Sequence, residues 1–249
     1  MFPYKIDNPT LLHPIVTLGL IAANVLAWLL LQGAGADQAL AASVCQLGLI
    51  PGELLGTVPA GTHVPLGPGI ACVIGAPHYA TVFTSMFVHG GWLHLFGNMW
   101  FLWLFGHSVE DAMGHARFVV FYLICGVAAA ATQVLTDTHA QLPMVGASGA
   151  ISGVLGAYVL LYPRVRVHTL IFLGFFVTSV ALPAYVMLGY WFLLQVVLGA
   201  AGALGQAQVG IAVWAHVGGF LAGLALIRAF TDPELLAARE VRPPARWPT

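Results

Sequence analysis

The chain has 249 residues, of which 8 are Lys or Arg and 9 are Asp or Glu, so charged residues make up 7% where a soluble domain carries about 25%. Hydrophobic residues reach 59% and the mean hydropathy is +0.90, more apolar side chain than a core of this size hides from water, which excludes an ordinary soluble globule and a disordered chain. A net charge of -1 with scattered basic residues also excludes an electrostatic nucleic-acid binder, which needs a basic stripe or patch.

A bilayer core of about 30 Å needs roughly 20 apolar residues per helix, and six runs approach that length, uncharged but for Arg228 near the end of the last. After a short N-terminal segment, 1–13, the first run is 14–32. The others are 91–105, 118–135, 148–162, 181–201 and 211–230. The second and fourth are short for a span, which predicts ends inside the membrane. A further apolar stretch, 168–180, is too short for a seventh span and reads as a buried extended segment or an interfacial helix. Ala34-Gly35-Ala36 resembles a signal-peptidase site, but the apolar run before it exceeds a usual signal core of about 7–15 residues, so the first run is expected to stay as a span. The first hundred residues hold no Arg, unlike a mitochondrial presequence, and a bacterial cytoplasmic membrane is the expected location.

Basic residues mark the cytoplasmic side. With six spans and the N-terminus inside, Lys5, Arg117, Arg164, Arg166, Arg228, Arg239, Arg242 and Arg246 all fall there, as does a frayed tail, 231–249, with Pro243, Pro244 and Pro248. The stretch 33–90 contains no Lys or Arg and is therefore expected to face out. Its apolar portion, 47–55, suggests an element dipping into the membrane and not a separate domain. Cys45 and Cys72 lie in this outward stretch and either form a disulfide or remain two small unpaired residues; Cys125 lies in the third span.

A polar side chain inside a span is costly unless it is paired or serves a function. The second run contains His94 and Asn98, four residues apart on one helical face, with His89 just before it. The fourth opens Gly146-Ala147-Ser148-Gly149, with Ser152 one turn on, and the sixth carries His216 ahead of Gly219 and Gly223. Measured from the cytoplasmic charges at about 1.5 Å per residue, His94 and Ser148 both lie at about 24 Å and His216 at about 18 Å, so the three share one recessed layer. Small residues at four-residue spacing, Gly149 and Gly153 on one helix and Gly219 and Gly223 on the other, let two helices approach closely. A Ser could then reach a His, the minimum for nucleophilic catalysis, with no carboxylate on either helix to make a triad. His94, Asn98 and the Ser148 N–H at a helix start are candidates for an oxyanion site. Other readings remain: Gly-Ala-Ser-Gly as a packing motif, or histidines along a proton path. No H-E-x-x-H and no nearby carboxylate completes a zinc site, and Ala150 breaks the G-x-S-x-G elbow of soluble hydrolases.

Taken in order, these residues resemble the rhomboid intramembrane serine proteases. That family's pattern has His and Asn four apart in the second span, G-x-S-G opening a short fourth span, and A-H-x-x-G-x-x-x-G in the sixth. His94 and Asn98, then Gly146 to Gly149, then Ala215, His216, Gly219 and Gly223 fit it position by position, over 82–230. The resemblance implies an all-α, six-helix membrane domain, 14–230, with both termini cytoplasmic. It also implies an endopeptidase that cuts transmembrane or juxtamembrane segments of membrane proteins, working in the lipid bilayer without cofactor or metal. Ser148 would be nucleophile and His216 general base, with His94, Asn98 and the Ser148 amide around the oxyanion and His89 in a supporting role. Glu110 resembles a structural carboxylate of the family. Two positions depart from well-known members: Ser152 stands where an aromatic residue often packs on the catalytic His, and the Trp-Arg pair of the first outward loop is absent. Tyr190, Trp191 and Phe192 in the fifth span suggest a lateral gate or an aromatic belt. The rivals are a catalytically silent rhomboid-like client-binding protein and a small His-lined channel, which would need paired acids or an internal repeat that the spans lack.

Overall fold

The computed structural model describes residues 1–67, 69–174, 176–203 and 212–241. Strand β1 (Phe2–Ile6) leads into helix α1 (Ile15–Leu30), which matches the first apolar run. Pro14 offers α1 no side-chain cap, and the first N–H groups of the helix are met from a distance. The buried Glu110 carboxyl accepts from Val16 N (2.9 Å), Thr17 N (2.8 Å) and Thr17 Oγ1 (2.6 Å), while His115 Nδ1 lies 2.6 Å from its Oε1. Asp111 accepts from the Leu11 and Leu12 N–H groups. Glu110→Ala strands buried donors at a helix start, so it is expected to destabilise the protein by at least about 2 kcal/mol in thermal unfolding in micelles, with Glu110→Gln losing less.

The stretch that follows is built, not loose. It contains α2 (Asp37–Leu47), α3 (Pro51–Leu54), the hairpin β2 (His63–Gly67) and β3 (Ile70–Val73), and α4 (Thr81–Thr84). Cys45 and Cys72 are disulfide-bonded, joining α2 to β3 over a small core of Ile50, Val58, Val64 and Ile74. Within 47–55, the stretch expected to dip into the membrane, Leu49 and Ile50 are buried inside the protein, Leu49 packs on Ala130 and Val134 and bridges to Met144, and Leu55 is exposed. The bond closes a loop across a sequence separation of 27, so reduction, or Cys45→Ser, is expected to cost about 3 kcal/mol of stability, read as a reductant-sensitive drop in melting temperature.

Helix α5 (Trp92–Phe101) runs through a π-helical stretch, Leu102–Gly106, into α6 (His107–Met113). The second helical run is thus longer than the expected 91–105. Glu110 and Asp111, beyond the end of that expected run, sit within the helix, and their carboxyls accept from main-chain N–H groups of α1 and of the N-terminal segment, respectively. Then come α7 (His115–Thr136), the 14-residue α8 (Ser148–Leu161), the antiparallel pair β4 (Arg166–Leu173) and β5 (Phe176–Pro183), α9 (Ala184–Ala203) and α10 (Val213–Phe230). Among the described residues three helices, α7, α9 and α10, are long and apolar enough to cross a membrane, and α1 and α8 are shorter apolar helices. The expectation of an all-α chain holds for the described parts of the span-length apolar runs. Beside them lie two small sheets, the β2–β3 pair and a three-stranded sheet in the order β1-β4-β5, the latter taking in most of the apolar stretch 168–180. Residues 168–173 and 176–180 are accordingly extended, but β5 is largely exposed and not buried as expected.

The expected frayed tail is instead helical from Pro233 to Val241, forming α11, and Arg239 fastens it. Its guanidinium donates to Asn8 Oδ1 (2.9 Å), the Pro9 carbonyl (2.8 Å) and the Tyr162 hydroxyl, lies 3.4 Å from Asp111, and stacks over the Tyr162 ring. Arg242, Arg246, Pro243, Pro244, Pro248 and the start of the sixth run at Ile211 lie outside the described residues.

Helices α8 and α10 meet through glycine, as the spacing predicted. A Cβ on Gly219 would strike the Gly149 carbonyl, one on Gly223 the Gly153 carbonyl, and one on Gly156 the Phe220 carbonyl. The two backbones are therefore in direct contact, which brings a side chain of one helix within hydrogen-bond reach of the other.

Candidate active site

Ser148 is the first residue of α8 and His216 lies in the first turn of α10. Each start is prepared by its neighbours. Gly146 has φ +116°, a conformation that favours glycine, and its N–H donates to the Ser85 carbonyl (2.9 Å), which turns the chain into α8. Gln133 on α7 accepts from the Ala215 N–H (3.1 Å) at the start of α10. The result is that His216 Nε2 lies 2.8 Å from Ser148 Oγ across a sequence separation of 68.

The far side of the imidazole is also engaged. His216 Nδ1 lies 2.8 Å from Gln195 Oε1 on α9, and the Trp191 ring, one turn earlier on that helix, lies 5.9 Å from the imidazole, centroid to centroid. Trp191 thus supplies the aromatic face that Ser152 cannot. Ser152 instead donates to the Ser148 carbonyl at 2.6 Å. Of the three aromatics considered for a gate, Trp191 and Phe192 turn inward onto Phe220, and Tyr190 is half-exposed. Sequence reasoning missed Gln195 as a partner. The available signal was its position one helical turn after Trp191, the lone amide in an otherwise apolar and aromatic helix.

On the other side of Ser148, His94 Nε2 lies 2.7 Å from where a Cβ on Gly146 would sit, so a side chain there would displace the ring. The Gly90 N–H donates to His94 Nδ1 (3.3 Å), which leaves the hydrogen on Nε2, facing the Ser148 turn. Asn98 donates through Nδ2 to the His94 carbonyl (2.8 Å) and keeps a second hydrogen. His89 is fully buried, edge-on to His94 at 5.2 Å, with its backbone tied to Gln32 at both N–H and carbonyl. Burial, and then the nearby His94, push the His89 imidazole down to about 3, so it stays neutral. Gly149 packs on Ala129 of α7, completing the small-residue seam beneath Ser148. No group of three or more His, Cys, Asp or Glu able to hold a metal occurs among the described residues.

A hydroxyl, an imidazole and donors beside them can move a proton from Ser148 Oγ to His216 while an oxygen gains charge near His94 Nε2 and the Ser148 amide. The Rhomboid domain family model matches residues 76–232. RHOMBOID-like protein 5 of Arabidopsis thaliana is 39% identical over 74 residues, 30% of this chain and 24% of that protein. Rhomboid protein 1, mitochondrial, of Saccharomyces cerevisiae is 32% identical over 96 residues, 37% of this chain and 28% of that one. Rhomboid protease GluP of Bacillus subtilis is 33% identical over 111 residues, 44% of this chain and 21% of the other. The matched segment spans between a fifth and a third of the length of these relatives.

Proposed function

This chain belongs to the rhomboid family of integral membrane proteins, and on that footing we propose that it is an intramembrane serine endopeptidase. The observation that carries the proposal is the 2.8 Å Ser148–His216 hydrogen bond, held by glycine contacts inside an otherwise apolar protein. In the proposed reaction Ser148 Oγ attacks the carbonyl carbon of a peptide bond in a membrane-protein substrate as its proton passes to His216 Nε2. The oxyanion is met by the Ser148 N–H, His94 Nε2–H and Asn98. His216 then returns the proton to the leaving amine as the C–N bond breaks, leaving an ester on Ser148. Water, deprotonated by the same imidazole, hydrolyses that ester and regenerates the hydroxyl. A substrate helix must unwind to present its carbonyl, so segments weakened by Gly or Pro are the expected targets.

The same reading takes 14–230 as a six-helix domain with both termini cytoplasmic, in a bacterial cytoplasmic membrane. Support comes from the two ends of α8. Arg164 and Arg166 follow its C-terminus, on the side of the β1-β4-β5 sheet, whereas the disulfide-bonded stretch, free of Lys and Arg, meets the segment before Ser148 through the Leu49–Met144 bridge. An oxidising outer face would suit the Cys45–Cys72 bond. The test is labelling by a fluorophosphonate probe together with cleavage of a reporter transmembrane substrate. Labelling confined to Ser148 and lost in His216→Ala supports the proposal; a wild type that neither labels nor cleaves sinks it and leaves a client-binding protein.

A further inference from the structure

We propose that Gln195 is a positioning residue: its Oε1 accepts a hydrogen bond from His216 Nδ1–H and so holds the imidazole in the tautomer whose bare Nε2 can take the Ser148 proton. The inference rests on the serine-protease reading above and assigns that site a third member.

Chemistry fixes the argument. A neutral imidazole carries one hydrogen, on Nδ1 or on Nε2, and only the Nδ1–H form leaves Nε2 free as a base. An amide oxygen can accept and cannot donate, so Oε1 at 2.8 Å from Nδ1 selects that form. Helix α9 carries no charged residue, and the only one in α8 or α10 is Arg228 in the last turn of α10. The place that a carboxylate fills in a triad is therefore taken by a neutral group. That choice suits lipid: a carboxylate there would carry a buried charge before catalysis began, whereas an amide adds none.

Trp191 and Gln195, four residues apart, present one face of α9 to His216, the first against the ring and the second at its Nδ1. The general base is thus assembled from two helices. α10 carries the imidazole, and α9 sets its plane and its proton. α9 is the less embedded of the two, with Tyr185, Tyr190, Leu193 and Val197 exposed along it. The site is complete only while α9 is docked.

The experiment uses the full chain in micelles, with wild type, Gln195→Leu and Gln195→Glu. Wild-type labelling and cleavage are established first, so failure of the protease reading shows there and not in the variants. Gln195→Leu, which fills similar volume without an acceptor, is expected to lower kcat by about 10- to 100-fold with KM changed by less than about twofold. In protein carrying 15N-histidine, with His216→Ala assigning the signal, wild-type His216 is expected in the Nδ1–H form and Gln195→Leu is expected to lose it. Gln195→Glu restores an acceptor, so it should hold kcat within about tenfold of wild type while the acid limb of the kcat profile moves to higher pH. A wild-type His216 found in the Nε2–H form overturns the proposal, even if the Leu variant fails to fold. So does Gln195→Glu falling as far as Gln195→Leu with an unmoved acid limb, which would make Gln195 a packing residue only.

Discussion

Ser148→Ala, His216→Ala and the double variant are each expected to lower cleavage of a reporter transmembrane substrate by a similar factor, about 10³-fold or more, and not by the product of the two single losses. The hydroxyl is a poor nucleophile unless Nε2 removes its proton, and the imidazole has nothing to activate once the hydroxyl is gone. The two groups, 2.8 Å apart, therefore act as one. Additive losses would mean that they work separately, and unchanged cleavage in any of the three would remove the serine mechanism. Ser148 is the first residue of α8 and only partly buried, so Ser148→Ala should melt close to wild type.

What could be read from the sequence divides along a physical line. Helices α1, α7, α8 and α10 begin and end within a few residues of the apolar runs, because lipid forces the main chain to bond to itself wherever the side chains are apolar. The pairing of Ser148 with His216 was legible for the same reason: polar groups are rare in such runs, and glycine at four-residue spacing announces where two helices touch. Features that depend on distant partners were not legible. The expected run 91–105 stopped short of Glu110 and Asp111 because nothing in the sequence says that Val16, Thr17, Leu11 and Leu12 take up their oxygens. The tail looked frayed because the contacts of Arg239, with Asn8, Pro9, Tyr162 and Asp111, lie between 77 and 231 positions away for its hydrogen bonds. Gln195 was overlooked although it is the lone amide of α9, because only the Nδ1 it faces shows what that amide is for.

Gly219→Ala and Gly223→Ala are expected to be the most damaging single-methyl changes in the chain, each destabilising by about 3 kcal/mol or more, with larger residues at these positions abolishing the fold. Each added Cβ would strike a main-chain carbonyl of α8, at Gly149 and Gly153, and a carbonyl within a helix cannot swing aside as a flexible side chain can. Relief requires the two helices to separate. A separation of about 1 Å carries the Ser148–His216 contact beyond hydrogen-bond range, so probe labelling of Ser148 should fall by about 10²-fold even at temperatures where the variant remains folded. Gly19, Gly97 and Gly189 supply the controls: they lie in α1, α5 and α9, and a Cβ on any of them meets nothing within 4 Å. Alanine there should leave labelling intact and hold or raise the melting temperature, since alanine is the better helix former. If Gly219→Ala and Gly189→Ala behave alike in both measurements, the helix contact is not what sets the distance between hydroxyl and imidazole, and the glycine seam loses its place in the mechanism.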